Sequence, residues 1–148
     1  MKIISINKKA KYDYFLLDSF EAGIVLTGTE IKSIRANGIN LKDSYVRITK
    51  DLQVYLINMH ISHYDHGNQF NHDETRERKL LLNKREIRKL FQESKEKNLT
   101  IVPTKIYFTR GMVKVEIALA QGKKNYDKRE VEKERDANRE IQKHLKNY

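Results

Sequence analysis

The run IVPTKIYFTRGMVKVEIALA, residues 101–120, decides the fold. Apolar and polar residues alternate with period two on both sides of Arg110 and Gly111, as in two strands joined by a tight turn. Val113, Val115, Ile117 and Leu119 share one face, and Lys114, Glu116, Ala118 and Ala120 share the other. Pro103 has no amide hydrogen and argues for an edge position or the start of a strand.

Similar signals recur upstream. Ser44–Thr49 and Gln53–Met59 alternate around a tight polar turn at Lys50 and Asp51, a second predicted hairpin. Tyr12–Leu26 is rich in aromatic and branched residues, with Gly23 as the expected bulge or bend. Thr27 to Glu30 has capping-box spacing, which predicts a helix near 28–36 that ends at Asn37 and Gly38. Ile31 and Ile34 mark its buried face, while Lys32 and Arg35 point elsewhere and are candidate RNA contacts. Asn83 and Glu86 cap a second helix over 83–97 whose stripe is Ile87, Leu90 and Phe91. Many short antiparallel strands plugged by a few helices predict a mainly β chain with flanking helices. The expected form is a small antiparallel β-barrel of oligonucleotide-binding (OB) type; an open mixed α+β sheet is the alternative.

Beyond residue 121 the strand pattern stops, so the chain divides into a core over 1–121 and a basic tail over 122–148. The junction reads Gly122, Lys123, Lys124, Asn125, Tyr126, Asp127, Lys128, Arg129. Four cations flank one aromatic ring, which suits phosphates and a stacked base. Asp127 and Glu130 have N-cap and N3 spacing, so a helix should open at Lys128. Its apolar residues are too sparse for a core-facing stripe. Such a helix is marginal alone and should form firmly only against a partner.

The 148 residues carry a net charge of +10, which favours a polyanion, nucleic acid before an acidic membrane surface. No window is apolar enough to span a membrane, the first residues are too short for a secretory signal, and there is no cysteine. This composition predicts a reducing, cytoplasmic setting.

Basic residues cluster three times: Lys8, Lys9 and Lys11 in a predicted arm over residues 2–11; Arg76, Arg78, Lys79 and Lys84 around residues 76–89; and residues 123–129. A lone cluster is usually a solvated face, but three of them with this net charge favour RNA, since no duplex-DNA motif is visible. His60, His63, His66 and His72, with Asp65 and Asp73, have metal-like spacing. They fall in a predicted loop without cysteine, so contact with RNA or solvent is the preferred reading and no metal or other cofactor is expected. Asp13, Asp18 and Glu21 are the nearest approach to a nuclease site and lie too far apart to share an ion. No catalytic motif occurs, and no enzyme is expected.

Further blocks carry a resemblance over nearly the whole chain. They are Asn7–Ala10, Phe20–Leu26, Gly28–Ser33, Asp43–Tyr45, Arg76–Leu82 and Gly122–Arg129, in that order. In them the chain resembles the SsrA-binding protein (SmpB) family, partners of transfer-messenger RNA in bacterial ribosome rescue. The resemblance implies an OB-type barrel that holds the tRNA-like domain of that RNA and docks it in a vacant decoding site. It ties Glu21, Leu81, Asn83 and Lys114 to RNA binding. It ties Gly122–Arg129 to the decoding centre, and the tail, helical when bound, to the empty messenger channel. Elongation factor Tu and alanyl-tRNA synthetase would join through the charged RNA. Two departures stand out: Tyr126, where some members have histidine, and Thr104, where a larger apolar residue is expected. A general single-stranded RNA chaperone is the alternative function; a peripheral membrane or nuclease role is a more distant one.

Overall fold

In a computed structural model, residues 1–64 and 71–124 are described. Strand β1 spans Lys2–Ile6, helix α1 Lys8–Asp13, β2 Tyr14–Ile24, helix α2 Gly28–Arg35, and β3 Ile39–Asn40. β4 is Tyr45–Ile48, β5 Val54–Ile57, β6 His60–Ile61, and β7 Arg78–Leu81. Helix α3 covers Lys84–Glu96, followed by β8 Thr100–Thr109 and β9 Met112–Gly122. Seven strands form one antiparallel sheet in the order β1-β8-β9-β2-β7-β5-β4, and β3 pairs with β6 separately. The ladder does not close into a ring, although β4 curls round until it lies beside β8. The molecule is therefore mainly β, with three helices packed on or beside the sheet among the described residues.

The β8–β9 hairpin forms as its alternation predicts. Arg110 and Gly111 both hold positive φ, +50° and +75°, the mirror-image turn whose twist matches paired strands. Ile106, Val115, Ile117 and Leu119 are buried in the main core with Ala22, Leu56 and Leu80. Ala118 and Ala120 are buried too, on the opposite face, because α1 lies over that end of the sheet. Pro103 is not at an edge, since β8 runs between β1 and β9. It lies beyond the last residue paired with β1 and beside a register shift between Pro103 and Lys105, so no ladder bond is forfeited. Thr104 occupies that bulge and donates from its hydroxyl to the Glu116 carboxylate at 2.5 Å, which explains a polar residue there.

Both predicted capping boxes are present, Thr27 with Glu30 on α2 and Asn83 with Glu86 on α3. Asn37, at φ +61°, is the left-handed residue that ends α2. The β4–β5 turn is wider than a tight turn at Lys50 and Asp51: Ile48 pairs with Val54, and Leu52 holds φ +60° between them. The bulge in β2 falls between Leu16 and Ser19, not at Gly23. Gly23 matters for a different reason. A Cβ there would stand 3.3 Å from the Leu81 Cβ, so the bare backbone lets β7 approach closely.

Residues 2–11 are not a free arm. Residues 2–6 pair with β8, and Asn7 caps α1. The buried Asn7 side chain accepts the Ala10 amide at 3.1 Å and donates to the carbonyls of Pro103 at 2.9 Å and Leu41 at 3.3 Å. Asn7→Ala removes the cap and strands two carbonyls. Thermal unfolding should show a loss of about 2 kcal/mol; an unchanged midpoint would contradict this account.

Candidate nucleic-acid interface

The two faces of the sheet have different tasks. Ala22, Leu80, Ile106 and Val115 point into the core, so their neighbours Gly23, Leu81, Tyr107 and Lys114 point out. These four form one row across β8, β9, β2 and β7. α1 covers the outer face near Tyr14 and leaves the Gly23 end bare.

A groove of about 340 Å³ opens at the bare end. Gly23 forms its floor, and Leu81, Phe108 and Met112 give it apolar walls. Arg35 and Lys114 supply cations, with the Arg35 guanidinium 6.0 Å from the Phe108 ring centre. Leu81 and Met112 are 53% and 54% exposed, so the groove's walls are accessible to a bound apolar group. Glu21, on the same face two residues before Gly23 and paired with Glu116, accepts the Tyr107 hydroxyl at 2.6 Å. Burial first, and that hydrogen bond second, raise the Tyr107 pKa, so the hydroxyl stays a donor and fixes the carboxylate. A carboxylate repels phosphate, but it accepts from base amino and imino groups. The groove therefore offers apolar surface for a base and cations for a phosphate, and one oriented acceptor stands on the sheet face outside it.

The chain leaves the sheet at the opposite end. Tyr14 pairs with Gly122, eight residues along β9 from Lys114, or about 26 Å at the usual strand rise. There the Lys123 amide donates to the Asp13 carbonyl at 2.8 Å. Its ammonium donates to the Lys11 carbonyl at 3.3 Å and lies 5.0 Å from the Phe15 ring centre. Lys8, Lys9 and Lys11, exposed on α1, thus join Lys123 in one basic region around the root of the tail.

A model of the SmpB protein family matches residues 4–147. The chain belongs to the SmpB family. The SsrA-binding proteins of Desulfitobacterium hafniense and Thermoanaerobacter pseudethanolicus are 55% and 57% identical over 146 residues, covering 99% of this chain and 93% of each relative. That of Thermosipho melanesiensis is 56% identical, covering 99% of both chains. A solved structure described as "tmRNA-SmpB: a journey to the center of the bacterial ribosome" superposes with a TM-score of 0.69 at 46% identity, covering 82% of this chain and 85% of that one.

The candidate RNA-contacting residues are brought together only in part. Glu21, Leu81 and Lys114 surround Gly23, and Arg35 joins them. Asn83 is exposed two residues beyond Leu81, where it caps α3. Lys32 lies apart, its ammonium 5.4 Å from the Tyr64 ring centre. Lys9 is held by Asp43 at 2.5 Å. Gly122 and Lys123 mark the exit from β9, and Lys124 is exposed. Tyr126, Asp127, Lys128 and Arg129 lie outside the described residues.

Arg78 is a correction, because it faces inward with Leu80 and is fully buried. It pairs with buried Glu30 and donates to the carbonyls of Met59 at 2.6 Å and Glu74 at 3.1 Å, so no surface is left to meet RNA. Arg76 completes the network at 2.6 Å from Glu30 and is partly exposed. The basic stretch over 76–79 is thus half structural.

The histidines divide similarly. His72 is buried, its Nε2 donating to the Ile61 carbonyl and its Nδ1 meeting the Thr29 hydroxyl, both at 2.9 Å. His60 and His63 both meet Glu74. His66 and Asp65 lie outside the described residues, among which no group of three or more potential ligands could hold a metal ion. Tyr107 and Met112 were missed as site residues. Their signal was in the alternation, which puts Tyr107 on the face of Lys114 and Met112 at the hairpin tip.

Proposed function

We propose that this protein binds the tRNA-like domain of transfer-messenger RNA and delivers it to stalled bacterial ribosomes for trans-translation. Membership of the SmpB family supports this reading, and its relatives are named for SsrA binding. The observation that carries it is the separation of two basic regions on one rigid strand pair. The Gly23 groove would hold RNA at one end, and the tail would leave from the other toward a second RNA surface. An OB-type barrel is the finer reading of the curled sheet, supported by the return of β4 beside β8. In this reading residues 1–121 are the RNA-binding core and 122–148 the tail. Glu21, Leu81, Asn83 and Lys114 contact the RNA, with Arg35, Lys79 and Lys84 nearby. Gly122–Arg129 meets the decoding centre, and the tail enters the empty messenger channel as a helix. An occupied channel would deny the tail its surface, so only stalled ribosomes would accept the complex. The protein acts in the cytoplasm by binding alone, and elongation factor Tu and alanyl-tRNA synthetase join through the charged RNA.

Competition binding tests the reading. Transfer-messenger RNA should displace the bound probe well before unrelated single-stranded RNA does; equal competition would favour a general RNA chaperone. Each phosphate neutralised contributes roughly 0.7–0.9 to the log–log slope of affinity against salt. Lys114→Ala should flatten that slope by the value of a single phosphate, and an unchanged slope would remove Lys114 from the interface.

A further inference from the structure

Leu81 is not only a wall of the Gly23 groove. It is a ridge between that groove and a second one of about 400 Å³, on the far side of β7 between the β4–β5 turn and α3. The second groove has an apolar lining of Leu52, Leu82 and Ile87 and a rim of Lys79, Lys84 and Arg88. Lys79 projects outward because its neighbours Arg78 and Leu80 are buried, and Lys84 and Arg88 lie one helical turn apart on α3.

Some surface cations are tied to carboxylates, and these three are not. Lys9, Arg47 and Lys89 each have a carboxylate within 4.0 Å, those of Asp43, Glu77 and Asp18. Among the described residues Lys79, Lys84 and Arg88 have none, although all three are exposed. One acid, Asp51, lines the same groove. Three cations against one acid, Asp51, which interacts with Lys79, leave a net positive rim on an apolar trough; this fits an occupant with regularly spaced negative charges and flat apolar faces.

We infer that the second groove holds an unpaired stretch of RNA that continues over Leu81 from the Gly23 groove, with phosphates against Lys79, Lys84 and Arg88. The inference rests on the proposed RNA-binding function and deepens it. The groove has room for a nucleotide-sized group. Leu81 then acts as a wedge, with bases stacked on either side of its exposed side chain. Asp51 opposes backbone phosphates and limits how strongly arbitrary polyanions are held.

The test uses the full-length protein and the tRNA-like domain of transfer-messenger RNA, with affinity measured across a salt series. The Lys84→Ala/Arg88→Ala double variant should flatten the log–log slope by roughly 0.7–0.9 for each phosphate it no longer neutralises. Hydroxyl-radical footprinting should show it exposing nucleotides adjacent to, and distinct from, those exposed by Lys114→Ala. Asp51→Asn should tighten binding. All three side chains are exposed, and an unchanged unfolding midpoint verifies the fold. If the double variant keeps the wild-type slope and footprint while Lys114→Ala alters both, the second groove does not hold RNA. Impaired ribosome association with an unchanged RNA slope would instead assign the groove to a protein surface and overturn the inference. A wild-type protein that binds unrelated RNA equally well defeats the proposed function. Even then, the double variant's slope on that RNA still decides the groove.

Discussion

Arg78→Met should destabilise the protein by about 3–5 kcal/mol, the usual cost of leaving a buried partner charge uncompensated. Against the ~5–15 kcal/mol that holds a typical domain together, this is a large fraction. Glu30 and Arg78 are both fully buried. Burial alone pushes the Glu30 carboxyl upward. Hydrogen bonds from Arg76, from the Thr27 amide and from Arg78 outweigh it and hold the group below its ordinary value of 4.5. Arg78 is drawn down by its own burial and supported by Glu30, and a guanidinium remains charged throughout. A lowered carboxyl pKa means the wild-type gain is present above pH 4.5 and fades as pH falls through the folded value. In Arg78→Met one of the lowering hydrogen bonds is gone, so the carboxyl takes up its proton at higher pH. The gap between wild type and variant should therefore be widest near neutrality and narrow in acid. Adding Glu30→Gln to Arg78→Met should recover part of the loss. Urea unfolding between pH 4 and 7 measures this, and a neutral-pH loss under about 1 kcal/mol would show that the pair carries little net stability.

The second large effect concerns function. Removing residues 124–148 should abolish alanine addition on stalled ribosomes while changing affinity for the isolated tRNA-like domain by no more than a few fold. The cut follows Lys123 because that residue is still bonded to Asp13 and Lys11, so the end of β9 keeps its anchorage. Binding and tagging are measured on the same preparation. Full tagging by the shortened protein would remove the tail from the proposed mechanism. Loss of RNA binding would mean that the tail, not the Gly23 groove, supplies the grip.

The fold was most legible where periodicity was undisturbed. The β8–β9 hairpin, both capping boxes and the left-handed Asn37 follow from local rules, because turns, caps and alternation depend on near neighbours. The misreadings came where a distant segment decides. Lys2, Lys8, Lys9 and Lys11 suggested a loose arm, yet Ile3, Ile4 and Ile6 could have marked a strand and Asn7 a cap. What fixes that segment is Asn7 reaching Pro103, nearly a hundred residues away. Arg78 was grouped with Arg76 and Lys79 by proximity, although alternation with inward-facing Leu80 puts it on the core side. Its partner Glu30 was legible only as a capping residue, with no local sign of the buried network it also joins. The Glu21, Leu81 and Lys114 cluster rested on the family resemblance alone. Three strands converge there, and no local pattern pairs residue 23 with both 81 and 114.

The hold on Lys123 has a further consequence. Two hydrogen bonds to α1 and one ring on the strand after it set a fixed mooring, so in the proposed mechanism the tail starts from one defined point. The 25 residues from Lys124 to Tyr148 reach at most about 85 Å if drawn straight, or about 38 Å if coiled into one helix. In that mechanism, once the body is seated, a tether of this length would hold the tail at an effective concentration on the order of millimolar near a target within reach. The end can therefore grip weakly and still report faithfully, provided the target lies inside that radius. Lengthening the leash should dilute the signal while leaving every touching surface as it was.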